Sequence, residues 1–153
     1  MSSVRDRLAE AGYELPPAAA ALGAYVPAVR AGQLVFTSGQ LPIRSGELMA
    51  TGTVGRGVDA DLACRCAVQC ALNALAAAAT VCDLESVERV VKVTGYVASD
   101  RGFTAQPGVV NGASDVMIAA FGDAGRHARE AVGVAVLPLG APVEVAIVLH
   151  ISA

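Results

Sequence analysis

Val143-Glu-Val-Ala-Ile-Val-Leu-His-Ile151 alternates almost without fault. Val143, Val145, Ile147, Leu149 and Ile151 fall on one face of an extended chain, and Glu144, Ala146, Val148 and His150 on the other. Such a period of two predicts a strand with one face on a core. Upstream, Leu137-Pro-Leu-Gly-Ala-Pro142 turns the chain. Before it, Arg129 to Val136 predicts another strand, with Arg129, Ala131, Gly133 and Ala135 on one side and Val132, Val134 and Val136 on the other.

Working back to the N-terminus, helices separate the remaining strands. Val109 to Phe121 predicts a helix ended by Gly122, with Ala113, Val116, Met117, Ala120 and Phe121 on one face. Ser99 to Gly108 is a loop. Val87 to Val97 predicts a strand with Val87, Val91, Val93 and Val97 on one face, preceded by a turn at Asp83-Leu-Glu-Ser. Asp59 to Val81 is the longest predicted helix. Its polar stripe, Asp61, Arg65, Gln69 and Asn73, is so narrow that the helix is expected to be covered on most sides, and Asp61 and Arg65 have favourable i,i+4 order. Gly39 to Gly57 is rich in Gly, Thr and Ser and predicts a long loop. Tyr25 to Arg30 and Leu34 to Ser38 are strand-like around Ala31-Gly32-Gln33, a hairpin pattern. Glu14 to Ala21, with Pro16-Pro17, is an extended arm. Ser3 to Ala11 is a short helix capped by Ser2 or Ser3 and stopped by Gly12. The order strand, strand, helix, strand, helix, strand, strand, with the last two hairpin-like, predicts an α+β fold: a mixed sheet with two helices packed on one face. One domain spans residues 1–153, of which 1–21 form an N-terminal helix and arm.

Composition narrows the class. Of 153 residues, 54 % are hydrophobic but only 4 % aromatic, so the core is assembled from Val, Ala, Leu and Ile. Mean hydropathy is +0.54, yet no apolar run approaches the ~18 residues of a membrane span. The apolar surplus predicts subunit contacts. A net charge of −3 without a Lys/Arg cluster argues against a nucleic-acid partner. Met1 to Gly12 has no apolar segment typical of a signal peptide, and the expected compartment is cytoplasmic and reducing. Cys64 and Cys66 point to different sides of a helix, and His127 and His150 lie far along the chain, so no metal site is expected and the cysteines read as buried small hydrophobes. Gly52-Thr-Val-Gly-Arg-Gly57 lacks the Gly-Lys-Ser/Thr ending of a phosphate loop.

Arg129 stands out. Moving a guanidinium out of water costs several kcal/mol unless something pairs with it. An Arg aimed into an apolar pocket is often a receptor for a carboxylate; equally, a structural Asp or Glu can pair with it, or it can snorkel to the surface.

Taken together, four segments in order resemble the RidA/YjgF/L-PSP family from about Leu22 to Ile151: Leu22-Gly-Ala-Tyr-Val-Pro-Ala-Val, Phe36-Thr-Ser-Gly-Gln-Leu-Pro, Val91-Lys-Val-Thr-Gly-Tyr-Val, and His127-Ala-Arg-Glu-Ala-Val-Gly-Val-Ala-Val-Leu-Pro with Pro142-Val-Glu-Val. Asn111 lies where the family carries an Asn in its second helix, and the extended N-terminus resembles a longer subgroup. The resemblance implies a chorismate-mutase-like α+β fold and a homotrimer with sites between subunits. It also implies hydrolysis of enamine/imine acids such as 2-aminoacrylate to 2-oxoacids and ammonia, as in a 2-iminobutanoate/2-iminopropanoate deaminase, without cofactor or metal.

On that resemblance, Arg129 binds the carboxylate of a 2-iminoacid or 2-oxoacid, and Glu144 orients or deprotonates the attacking water. Tyr25 closes the pocket, Ser38 donates to the imine or water, and Asn111 offers its amide. Each has a plainer reading: Glu144 as an edge-strand charge, Tyr25 as an interface aromatic, Ser38 as a turn residue, Asn111 as a helix cap. Two positions depart from the family pattern. Ala131 stands where many relatives carry Cys, so this chain has no thiol at that position. Glu130 stands where relatives often have Ser, and strand alternation sends it away from Arg129. His127 and His150 receive no catalytic role; His127 is read as a loop or interface residue. Arg129 and Glu144 both begin strands, so antiparallel strands would set them at opposite ends and one site could combine two chains. Two other functions fit: a trimeric sensor holding a small carboxylate without turnover, and an endoribonuclease or translation inhibitor, which the acidic balance disfavours.

Overall fold

The computed structural model describes residues 1–20 and 23–153. Ala21, the end of the expected arm, and Leu22, the start of the first family-like segment, lie outside the described residues. In chain order the elements are α1 (Val4–Glu10), β1 (Ala28–Ala31), β2 (Leu34–Thr37), β3 (Ile43–Arg44), β4 (Glu47–Leu48), β5 (Thr53–Val54), β6 (Gly57–Val58), α2 (Ala60–Ala78), β7 (Val87–Ala98), α3 (Gln106–Phe121), β8 (Ala128–Val134) and β9 (Val143–Ile151). A five-stranded mixed sheet runs β1-β2-β9-β7-β8, parallel at β7–β8 and antiparallel elsewhere. α2 and α3 pack together on one face of it, and α1 packs on α3.

The alternation of β9 sets the layers. Val143, Val145, Ile147, Leu149 and Ile151 are at most 1 % exposed against the helices, and burying each contributes about 1.5–3 kcal/mol relative to leaving it in water. Glu144, Ala146, Val148 and His150 lie half-buried on the opposite, uncovered face. Asp59 caps α2 by accepting from the Leu62 amide at 2.7 Å. Asn73, last in its polar stripe, donates to the carbonyls of Leu41 and Ile43, both at 3.0 Å, and so pins the preceding loop to the helix. Among the described residues no ion pair joins Asp61 to Arg65. Cys66 and Cys70 are fully buried. Burial pushes the Cys66 thiol up to about 11 and holds Cys70 well above the ordinary thiol range, as inert small hydrophobes require.

Several sequence expectations are corrected. β8 and β9 do not form a hairpin: the α3 crossover brings β8 in parallel to β7, and β9 takes the other edge of β7. Val91 is not on the core face. Register shifts along β7, including one between Val90 and Lys92, put Val90 inside at 0 % exposure and Val91 outside at 37 %. α3 starts at Gln106, three residues before its hydrophobic periodicity begins, with Pro107 in its first turn. The first strand begins only at Ala28. The loop between Gly39 and Gly57 contains the paired short strands β3–β4 and β5–β6. β8 spans Ala128–Val134 and stops short of Val136.

Where α2 and α3 cross, the chain is Gly112, and a β-carbon there would sit 2.4 Å from the Cys64 carbonyl oxygen. Gly112→Ala is expected to destabilise the protein by about 1–3 kcal/mol through overpacking. Gly108, in the first turn of the same helix, faces open space, and Gly108→Ala should stabilise by about 0.5–1 kcal/mol. Denaturant midpoints of the two variants should therefore move in opposite directions.

Candidate functional site

Arg129 is the second residue of β8, and its side chain turns to the helical side of the sheet, opposite Val93 of β7. There α3 runs alongside. Nη1 of Arg129 donates to Asn111 Oδ1 at 2.8 Å and to Ser114 Oγ at 3.2 Å. Both acceptors are neutral. Among the described residues no carboxylate pairs with Arg129, and Nε and Nη2 have no protein acceptor. The alternative of a structural Asp or Glu partner is thus not what these residues form. Glu130 turns the other way and pairs with Lys92 at 2.9 Å, so the neighbouring acid does not compete for the guanidinium.

Asn111 is not a cap. With α3 starting at Gln106, it lies in the second turn and spends its oxygen on Arg129. Ser114, one turn further along the same face, has a second partner: its hydroxyl meets His127 Nε2 at 2.9 Å, and His127 Nδ1 meets the Gly125 carbonyl at 2.6 Å. The sequence pattern does not single out Ser114, and it marks His127 only as a loop or interface residue. The i,i+3 spacing of Asn111 and Ser114 was visible, but its meaning depends on which face of α3 meets β8.

Glu144 occupies the other face, opposite Tyr96 on β7. Half-burial pushes its carboxyl above the ordinary glutamate value. Gly39 lies directly over it: a β-carbon at Gly39 would fall 2.0 Å from Glu144 Oε1, so no larger residue fits while Glu144 keeps this position. Ser38 donates from Oγ to the Val26 carbonyl at 2.6 Å, which ties the start of the Gly39 turn to the segment carrying Tyr25. Tyr25 is 57 % exposed. With Gly39 it borders a groove of about 1050 Å³ between the N-terminal arm and the α2 residues Arg65, Gln69 and Asn73. Arg129, Asn111 and Glu144 do not line that groove.

The five candidate residues therefore form two groups. Arg129 and Asn111 touch on the helical side at the β8 edge. Glu144, with Gly39 and Ser38 beside it and Tyr25 nearby, belongs to the β9 end of the other group. β7 separates the strands, and β8 and β9 run antiparallel across it, yet Arg129 and Glu144 lie opposite β7 residues only three apart, Val93 and Tyr96, so the sheet face parts them and not the expected opposite ends.

This order of strands and helices, with its Arg and Glu on opposite sheet faces, invites comparison with known proteins. Residues 5–150 match the family model described as "YjgF/chorismate_mutase-like, putative endoribonuclease". The chain belongs to the RidA/YjgF/L-PSP family, and its mixed α+β sheet is the chorismate-mutase-like fold of that family. It is 44 % identical over 149 residues to Protein TCP17 of Trypanosoma cruzi, covering 93 % of this chain and 90 % of that protein. The crystal structure of Atu1372, a protein of unknown function from Agrobacterium tumefaciens, superposes with a TM-score of 0.90 at 45 % identity, covering 97 % and 92 % of the two chains. A protein from Shewanella oneidensis MR-1, titled a "putative endoribonuclease", gives 0.93 at 31 % identity, covering 98 % and 100 %. No helix among the described residues is long and apolar enough to cross a membrane.

Because the Glu144 carboxyl is raised, its charged form is the one disfavoured in the folded chain. That strain is absent below the ordinary glutamate value of 4.5 and grows as pH rises through the folded value. Glu144→Gln should therefore be more stable than the parent at pH 7, and the advantage should vanish below pH 4.5. Paired thermal melts across that range check it; an advantage that grows in acid contradicts it.

Proposed function

We propose that this protein hydrolyses reactive enamine and imine acids of the 2-aminoacrylate type to 2-oxoacids and ammonia, at sites between the subunits of a homotrimer. One observation carries the reading. Arg129 is a fixed guanidinium held on one nitrogen by neutral oxygens, with no acidic partner among the described residues. Such a group suits a planar carboxylate taken up by two parallel hydrogen bonds.

The chemistry follows from where the charges sit. The substrate carboxylate on Arg129 fixes the adjacent C=N carbon, so much of the gain is orientational. Water adds to that carbon, and the carbinolamine expels ammonia to leave the 2-oxoacid. Glu144 takes the proton of the attacking water and returns one to the departing nitrogen. Its raised carboxyl suits that exchange better than an ordinary surface glutamate would. Tyr25 and Ser38 complete the Glu144 side; Asn111 supports Arg129. No cofactor is required by these steps, and the Cys found in many relatives is not part of them, since this chain has Ala131.

The two groups lie on different sheet faces, so a neighbouring protomer is needed to bring an Arg129 and a Glu144 to one substrate. The uncovered sheet face supports such an assembly: Val29, Phe36 and Val132 are 50 %, 40 % and 42 % exposed there, and apolar surface of this kind favours subunit contact. Light scattering should give three times the 15.4 kDa chain mass, and Val132→Asp should shift it toward monomer; a monomeric parent contradicts the assembly.

Endoribonuclease names attached to relatives give a second reading. A net charge of −3 gives an RNA backbone little to hold. Coupling the protein to a threonine dehydratase that releases iminoacid separates the readings. Faster 2-oxoacid release is expected, falling about 100-fold or more in Arg129→Ala and in Glu144→Gln. Tight 2-oxoacid binding without acceleration would instead indicate a carboxylate sensor. RNA cleavage lost on an Arg129 substitution would favour the nuclease.

A further inference from the structure

We propose that Ser114 and His127 are positioning residues for Arg129, a side-chain relay that leaves the Nε/Nη2 edge of the guanidinium as the one that meets a carboxylate. The inference rests on Arg129 being the carboxylate receptor. It adds which edge does the binding and what holds it.

With a neutral His127 ring the relay has one consistent direction. The Gly125 carbonyl can only accept, so His127 carries a proton on Nδ1 and donates it there at 2.6 Å. In the neutral ring Nε2 is then an acceptor, and the Ser114 hydroxyl donates to it at 2.9 Å. With its proton spent, Ser114 Oγ accepts from Arg129 Nη1 at 3.2 Å, while Asn111 Oδ1 accepts from the same nitrogen at 2.8 Å. The far end is firmly seated. A β-carbon on Gly125 would lie 2.3 Å from the Met117 carbonyl oxygen, so the turn is pressed against the end of α3. The relay thus runs from the turn that follows α3 back onto α3 itself and closes around the first residues of β8.

A guanidinium offers a carboxylate two forks: the end formed by Nη1 and Nη2, or the side formed by Nε and Nη2. Engagement of Nη1 by two protein oxygens removes the first. The second remains, with its donors fixed in direction, so less freedom is lost when a planar acid docks. Without Ser114 the hydroxyl acceptor disappears; without His127 the hydroxyl is free to rotate its proton toward Arg129. Either loss loosens the fork while leaving its charge intact.

The test measures binding of 2-oxobutyrate by calorimetry to the full-length protein. Arg129→Ala should abolish binding. Ser114→Ala and His127→Ala should each weaken it about tenfold, and Ser114→Thr, which keeps the hydroxyl, should stay within about twofold of the parent. On an Arg129→Lys background, which has no fork to orient, Ser114→Ala should change affinity by less than about twofold. In nitrogen NMR spectra of the parent, His127, one of only two histidines, should show its neutral-ring proton on Nδ1. A proton on Nε2 overturns the relay, as does parent-like affinity in both alanine variants, or an equal loss on the Lys background. A parent protein that ignores 2-oxobutyrate overturns the carboxylate reading and this one with it. Binding that depends on Arg129 but not on Ser114 or His127 overturns this one alone.

Discussion

A positive charge tethered by neutral oxygens is the constraint from which the rest follows. Asn111 and Ser114 hold Nη1 of Arg129 without cancelling its charge. An aspartate or glutamate in either place would pair with the guanidinium and remove its attraction for an outside anion. The arrangement depends on the α3 crossover. Only because β8 returns parallel to β7, with Arg129 opposite Val93, does the second turn of α3 lie beside the guanidinium. The close seats at Gly112 against α2 and at Gly125 against the end of α3 serve the same placement.

The sheet also divides the molecule. Its helical face buries the inward residues of β9 and carries Arg129 at one edge, while its open face carries Glu144 and a row of exposed apolar side chains. The pleat makes this division strict, since a residue cannot change faces without a register shift. In the proposed trimer, open faces meet and the two halves of a site come from neighbouring protomers. The apolar surplus of the composition and the separation of Arg129 from Glu144 then have one common origin.

Period-two and helical patterns were legible where one face is buried and the chain is regular. The alternation from Val143 to Ile151 and the narrow polar stripe from Asp61 to Asn73 match β9 and α2 closely. Pattern failed where long-range geometry intervenes. Nothing local marks the register shift that exchanges Val90 for Val91. Nor does adjacency in sequence reveal that β7 separates β8 from β9. The individual candidates were visible because Arg129 and Glu144 are charges in apolar strands. Ser114 and His127 were not: Ser114 looks like any serine on a small-residue helix, and His127 like a loop histidine, until α3 is laid against β8.

A crystal of the protein soaked with 2-oxobutyrate tests the central claim most directly. The account predicts the acid's carboxylate on the Nε and Nη2 side of Arg129, in a crevice closed by a second protomer that supplies Glu144. Finding that edge of Arg129 capped by an acidic side chain of a neighbouring protomer, with the acid bound elsewhere or not at all, would contradict it.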